Sequence, residues 1–113
     1  MKFLINWLIF TLAIIITAYL LPGVAIESVF AALVAALVLG LINAFIKPLI
    51  LILTLPINIL TLGLLTFVIN ALIIMLTSLL VPGFSVLGFW WAMAFSLVLS
   101  IVAWALNQLK DGN

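Results

Sequence analysis

The sequence predicts an all-α integral membrane protein with four transmembrane helices, arranged as two helical hairpins that are parallel repeats of each other. Three observations lead to this fold class. Hydrophobic residues make up 71% of the chain and charged residues only 4%, too few to cover the surface of a water-soluble domain. Four apolar stretches each approach the roughly 20 residues that a helix needs to cross a bilayer. Finally, parts of the sequence recur at a constant interval.

The four predicted spans cover residues 3–21, 29–46, 62–81 and 89–109, and together they form a single domain, residues 1–113. The first and third spans are both followed by a Pro-Gly pair, Pro22-Gly23 and Pro82-Gly83. Because proline and glycine end helices, each pair predicts a short turn that reverses the chain. The two outer connections are therefore tight, and the connection between the second and third spans is the long one.

The internal repeat has an offset of sixty residues. At this offset Leu20-Leu21-Pro22-Gly23 aligns with Leu80-Val81-Pro82-Gly83, and Leu37-Val38-Leu39 aligns with Leu97-Val98-Leu99, without a gap. The shared register favours a duplication of one hairpin. Because each repeat contains two spans, the hairpins run parallel and are related by an axis along the membrane normal.

The few charges predict the orientation of the chain. Lys2, Lys47 and Lys110 all fall on one side of a four-span arrangement, and Glu27 falls on the other. Lysine and arginine are retained on the cytoplasmic side of short loops. Both termini are therefore expected in the cytoplasm.

Small residues predict two contact faces between helices. In lipid, helices associate where small side chains allow their backbones to approach. The second span carries such residues at a spacing of four, and the fourth span carries their counterparts sixty residues later: Ala32, Ala36, Gly40 and Ala44, then Ala92, Ser96 and Ser100. These packing seams join helices either within one subunit or between subunits.

The segment between the second and third spans interrupts the apolar pattern. Pro48 removes a backbone donor and crowds the carbonyl of residue 44, so the helix is expected to bend or end near Lys47. Residues 48–60 are apolar but too short to cross a bilayer. Lys47, Thr54, Asn58 and Thr61 project onto one polar stripe. This pattern is typical of a helix lying in the interface, or of a re-entrant hairpin that lines a polar cavity.

Asn43 and Asn70 differ from the other polar residues because both are expected inside the membrane. They recur in similar contexts, Ile42-Asn43-Ala44 and Ile69-Asn70-Ala71. One interpretation is an amide hydrogen bond between helices. The other is that the two side chains line a permeation path.

The composition excludes most catalytic chemistry. The chain has no His and no Cys, and Glu27 and Asp111 are its only acids. It therefore lacks the usual general bases, thiol nucleophiles and metal ligands, so we expect no enzyme, no metal site and no cofactor. A net charge of +1 offers no basic patch for nucleic acid.

The central region resembles the signature of a known family. The matching positions are Asn43, Lys47 and Pro48, then Thr54, Pro56, Asn58, Thr61 and Gly63, then Asn70. They resemble the phage holin family, the mycobacterial four-span holin superfamily, which also includes the YvlD-type membrane proteins of bacterial chromosomes. The resemblance implies a bacterial cytoplasmic (inner) membrane protein and an oligomer that makes lesions in that membrane. It carries over no catalytic residues.

Three functional classes follow. The first is a holin-like homo-oligomer that forms lesions or pores in the lipid bilayer. The second is a structural or envelope-stress accessory protein that binds another membrane protein and has no pore activity. The third, a small transporter, is disfavoured because proton-coupled exporters of this size need a carboxylate inside a span, and Glu27 lies in the outer turn.

Overall fold

The computed structural model describes residues 1–111, which fold into a helical bundle with a small β-ribbon at one end. The helices are α1 (Lys2–Leu20), α2 (Val29–Leu41), α3 (Lys47–Leu53), α4 (Leu55–Leu60), α5 (Leu64–Leu80) and α6 (Phe89–Asp111). A π-helical turn (Ile42–Ile46) joins α2 to α3, and the strands are β1 (Val24–Ile26) and β2 (Phe84–Val86).

Four of the helices form the bundle. The first hairpin pairs α1 with α2, and the second pairs α5 with α6. The hairpins then meet along two lines, α1 against α6 and α2 against α5. Small residues and a few large ones fill the centre, among them Ala13, Ile14, Ala32, Leu39, Ala71, Ile74, Ala92 and Phe95. Close packing of small side chains in the centre of a bundle is how helices associate in lipid.

Within the described residues, three helical stretches are long and apolar enough to cross a membrane: Lys2–Leu20, Val29–Leu53 and Phe89–Asp111. The fourth, α5, is apolar but has 17 residues. It is shorter than the predicted span at 62–81 because Leu62 and Gly63 both adopt the left-handed conformation, with φ of 57° and 86°. An α-helix cannot include two residues in this conformation, so α5 begins directly after them, at Leu64.

The second span also differs from its expected bounds. Of the two expectations for the region near Lys47, a bend or an end of the helix, the end is not observed, because the helical stretch continues through Pro48 to Leu53. A wider π turn precedes the proline, and the Lys47 N–H bonds the carbonyl of Ile42 five residues back. Because this turn changes the hydrogen-bond register just before Pro48, it accommodates a ring that would otherwise crowd the carbonyl of residue 44.

The outer connections are more regular than the predicted turns. β1 pairs with β2 in antiparallel register, with Val24 opposite Val86, Ala25 opposite Ser85 and Ile26 opposite Phe84. Two flanking bonds extend the ladder: Glu27 N–H to the Gly83 carbonyl at 2.8 Å, and Leu87 N–H to the Gly23 carbonyl at 2.9 Å. The ribbon therefore ties the two hairpins together at this end.

Many structural features occur in pairs sixty positions apart. The buried Thr17 hydroxyl donates to the Ala13 carbonyl at 2.7 Å, and the buried Thr77 hydroxyl donates to the Ile73 carbonyl at 2.8 Å. In the ribbon, Ala25 lies directly opposite Ser85, its own counterpart. The flanking ladder bonds obey the same offset. The two halves thus use equivalent positions for equivalent contacts.

Residues 48–60 form α3 and α4, separated by a turn at Thr54. None of the residues in these two helices is buried. Thr54 and Asn58 are half-buried, whereas Leu53 and Leu60 are more than four-fifths exposed. The polar stripe therefore faces the bundle. Most of the aliphatic side chains face outward, whereas Ile50 and Leu51 pack against the core.

Candidate functional site

A groove of about 200 Å³ with several polar side chains lies between α5, α6 and the end of α2. Its polar side chains come from five positions, which define the polar groove: Asn43, Lys47, Asn70, Ser96 and Ser100. The remaining walls are apolar and include Phe10, Leu39, Ile73 and Leu99. Asn43 and Ser100 are exposed, so the groove opens at the surface of the bundle.

Helical spacing places these side chains together. Ser96 and Ser100 are four residues apart on α6 and share one face. Asn43 and Lys47 are also four apart, on the π turn and the first residue of α3. Asn70 lies ten residues before the end of α5, roughly 15 Å along the axis at 1.5 Å per residue. The groove therefore reaches from the lysine-bearing end towards the middle of the bundle.

The polar groups of the groove are only partly satisfied within the subunit. The Ser96 hydroxyl donates to the Met93 carbonyl at 2.9 Å, and the Ser100 hydroxyl donates to the Ser96 carbonyl at 2.8 Å. The side chains of Asn43, Lys47 and Asn70 make no hydrogen bond to any of residues 1–111. The predicted amide hydrogen bond between helices is thus absent from the described structure. Polar groups at membrane depth are costly without partners, so the amides of Asn43 and Asn70, both expected inside the membrane, require water, another chain or a ligand.

The chemistry of the groove is suited to binding and lining. It presents one ammonium group, two carboxamides and two hydroxyls, and no carboxylate or imidazole lies among its lining residues. These groups donate and accept hydrogen bonds but do not shuttle protons near neutral pH. A column of water or a polar chain is the kind of occupant that such a surface stabilises.

The other signature residues build the turn from α3 to α5. Pro56 lies in the first turn of α4, where a missing N–H costs nothing. The Thr54 hydroxyl donates to the Ile50 carbonyl at 2.7 Å, and the Thr61 hydroxyl donates to the Asn58 carbonyl at 3.2 Å. Gly63, at φ 86°, donates its N–H to that same carbonyl at 2.8 Å. These signature residues therefore form a turn motif.

Asn58 joins this turn to α5. Its side-chain Nδ2 donates to Thr66 Oγ1 at 2.8 Å, across eight residues of sequence. The Oδ1 atom is buried and has no hydrogen-bond partner in the described part of the chain. The link fixes the polar side of α4 against the first turn of α5.

The packing seams divide between the core and the surface. Ala32, Ala36 and Ala92 are buried inside the subunit. Gly40 and Ala44 follow towards the lysine-bearing end, and together with Ala36 they line a second cavity. Ser96 and Ser100, the continuation of the other seam, line the polar groove. Each seam therefore runs from a closed contact into an open groove.

The second cavity, the apolar groove, has a volume of about 740 Å³ and lies between α1, α2 and the last turns of α6. Its lining residues match those of the polar groove at the sixty-residue offset: Phe10 with Asn70, Ala36 with Ser96, Gly40 with Ser100, Ala103 with Asn43, and Asn107 with Lys47. The two grooves are equivalent positions with different chemistry. Asn107 was missed in the sequence, although its offset from Lys47 marks it.

A comparison with known families agrees with the signature. The family described as mycobacterial 4 TMS phage holin, superfamily IV, matches residues 1–105. The chain belongs to this holin family. An uncharacterized protein of Streptomyces coelicolor is 48% identical over 92 residues, which cover 77% of this chain and 74% of that protein. The uncharacterized membrane protein YvlD of Bacillus subtilis is 39% identical over 101 residues, covering 88% of this chain and 85% of YvlD. No solved structure matches.

Proposed function

We propose that this holin-family protein acts in the bacterial inner membrane as an oligomer that forms a lesion or pore. The observation that carries the proposal is the polar groove. Three of its side chains, Asn43, Lys47 and Asn70, have no hydrogen-bond partner in residues 1–111, and the groove opens at the surface of the bundle. A monomer surrounded by lipid leaves the amides of Asn43 and Asn70 unsatisfied, whereas several copies arranged around a common axis bring their grooves onto a shared, hydrated lumen.

The proposed topology follows from the same structure. We place the ends bearing Lys2, Lys47 and Lys110 in the cytoplasm and the β-ribbon on the outer side. This is supported by the 2.8 Å bond from Lys110 Nζ to Asn6 Oδ1, which joins the two lysine-bearing ends of α1 and α6. The equivalent contacts at the sixty-residue offset support a duplicated hairpin, and the exposed aliphatic face of α3 and α4 supports an interfacial position for residues 48–60.

Induced expression in a bacterium tests the proposal. The intact chain is expected to collapse the membrane potential and to admit an impermeant dye. Asn70→Leu, which keeps the side-chain volume but removes the amide, is expected to abolish most of the dye entry. Asn107→Leu makes the same change in the apolar groove, so it serves as the matched control and is expected to behave like the intact chain.

Two outcomes of this experiment would contradict the proposal. A membrane potential that holds at high membrane levels of the intact protein contradicts a lesion. Equal effects of Asn70→Leu and Asn107→Leu contradict the assignment to the polar groove. In the first case the accessory function is favoured. The unsatisfied groups of the polar groove are then expected to contact another membrane protein. Co-purification tests this contact, with Asn70→Leu as the negative control.

A further inference from the structure

The apolar groove has the size and form of a ligand site. Its volume of about 740 Å³ lies within the range of roughly 300–1,000 Å³ that small-molecule sites occupy. Aromatic side chains from two helices line it, chiefly Phe3, Trp7 and Phe45. At its floor, a methyl group added to Gly40 would meet no atom within 4 Å. The space is therefore open down to the helix backbone.

Trp7 holds α1 against α2 at this groove. Its indole N–H donates to the Leu33 carbonyl at 2.9 Å, a bond between the two helices of the first hairpin. The Phe3 ring lies next to it, with ring centroids 6.3 Å apart and the ring planes tilted by 37°. The apolar wall is thus fixed by a specific contact between helices, so the groove belongs to the folded bundle.

The polar residues of the groove gather at the lysine-bearing end. They are Asn6, Asn107 and Lys110. Lys110 Nζ donates a hydrogen bond to Asn6 Oδ1 at 2.8 Å. No acid lies among the lining residues, and the Asp111 carboxylate, 4.0 Å from Lys110 Nζ, belongs to a 70% exposed side chain. One end is therefore cationic and hydrogen-bonding, and the remainder is apolar.

We propose that the apolar groove binds one anionic phospholipid, with an acyl chain against Trp7 and Gly40 and the headgroup at Lys110. The occupant follows from charge and shape, since the groove is long and apolar with a single cation at the expected headgroup depth. Basic pockets between transmembrane helices on the cytoplasmic side are suited to anionic headgroups. Ammonium-to-phosphate hydrogen bonds are among the stronger ones. The polar groove, its equivalent in the other half, has Asn70 and serines in place of the apolar wall and does not suit an acyl chain.

Native mass spectrometry of the full chain in mild detergent tests this site. Titration with phosphatidylglycerol is expected to give one saturable adduct, and phosphatidylcholine is expected to bind about tenfold more weakly. Gly40→Leu fills the floor and is expected to eliminate the adduct. Lys110→Gln is expected to weaken phosphatidylglycerol binding about tenfold, the effect of losing one charged hydrogen bond.

Two matched controls separate a site from general effects. Lys2→Gln removes the same charge at the same end without lining the groove, and Gly88→Leu adds the same side chain at a position that is also open. Both are expected to retain the adduct, and thermal melts identify any variant that fails to fold. Equal losses in Lys2→Gln and Lys110→Gln overturn the proposal, as does equal binding of the two lipids. A Gly40→Leu variant that changes the oligomeric state while keeping the lipid also overturns it, because a second copy is then the occupant.

Discussion

Single residues at the outer turns determine how closely the hairpins approach. A Cβ atom added to Gly23 would overlap the indole ring of Trp91. The equivalent glycine, Gly83, has a φ of 90°, and a Cβ atom added to it would lie 3.0 Å from the Cβ of Ala31. Ala31 and Trp91 are themselves sixty residues apart. The same backbone contact is therefore made to a methyl group in one half and to an indole ring in the other.

Gly23→Ala should destabilise the protein by about 1–3 kcal/mol, because the added methyl forces Trp91 or the ribbon to shift. Gly88→Ala is the matched control and should be near neutral, since no atom lies within 4 Å of the added methyl. Thermal unfolding in detergent, followed by circular dichroism, measures both variants. Adding Trp91→Ala to Gly23→Ala should restore part of the loss. Equal midpoints for the two glycine variants would refute the predicted overlap.

The sequence identifies some site residues better than others. Asn43, Lys47 and Asn70 stand out because polar side chains are costly in an apolar span, so their presence demands a reason. Ser96 and Ser100 are small as well as polar, and their spacing alone indicates packing. Only the fold places these serines opposite Asn70. The same ambiguity applies to Gly40, whose spacing does not reveal whether a neighbouring helix or an open groove lies above it.

At the scale of elements, the helices are well predicted but their ends are not. Hydrophobic length predicts four apolar helices, and Pro-Gly pairs predict the outer turns. The sequence leaves open whether α2 bends or ends near Lys47, because a proline rule based on α-helical geometry does not include the π turn at Ile42–Ile46. The β-ribbon is not predicted either, since Val24–Ile26 and Phe84–Val86 are each too short to show alternation.

The ribbon register predicts a disulfide between the two hairpins. Residues directly opposite each other in an antiparallel ladder have Cα atoms about 4.5–5.5 Å apart, within the range that a disulfide spans. Ala25→Cys with Ser85→Cys should therefore oxidise within one chain, detected as a mobility shift that reductant reverses. Ala25→Cys with Leu87→Cys is the control, two residues out of register, and should oxidise much more slowly. Faster oxidation of the control pair would show that the register is wrong.

The whole molecule is closed at the ribbon end and open at the lysine-bearing end. At the ribbon end, β1 and β2 pair, and the buried Thr17, Thr77 and Phe95 fill the space between the hairpins. Towards the lysine-bearing end both grooves open between helices. Hydrophobic length cannot reveal this difference, because apolar residues face lipid and core alike in a membrane. The difference between the two ends depends on how the helices contact each other, and composition does not determine those contacts.

The orientation of the whole chain can be measured directly because it has no cysteine. Ser85→Cys, exposed in the ribbon, should react with a membrane-impermeant maleimide in intact cells whose outer membrane has been made permeable. Lys2→Cys, exposed at the opposite end, should react only after the inner membrane is opened. The prediction follows from the retention of lysine in the cytoplasm. The reverse labelling pattern would invert the proposed topology and would place both groove mouths outside.

The ribbon also sets an order of events during synthesis. β1 has its partner strand sixty residues downstream, in β2. At roughly 5–20 residues per second, the ribosome needs about 3–12 s to make that partner. Throughout this interval the edge of β1 has no partner strand, and Trp91 is not yet available to pack against Gly23. The bundle is therefore completed only after the second strand has been synthesised and has paired with the first.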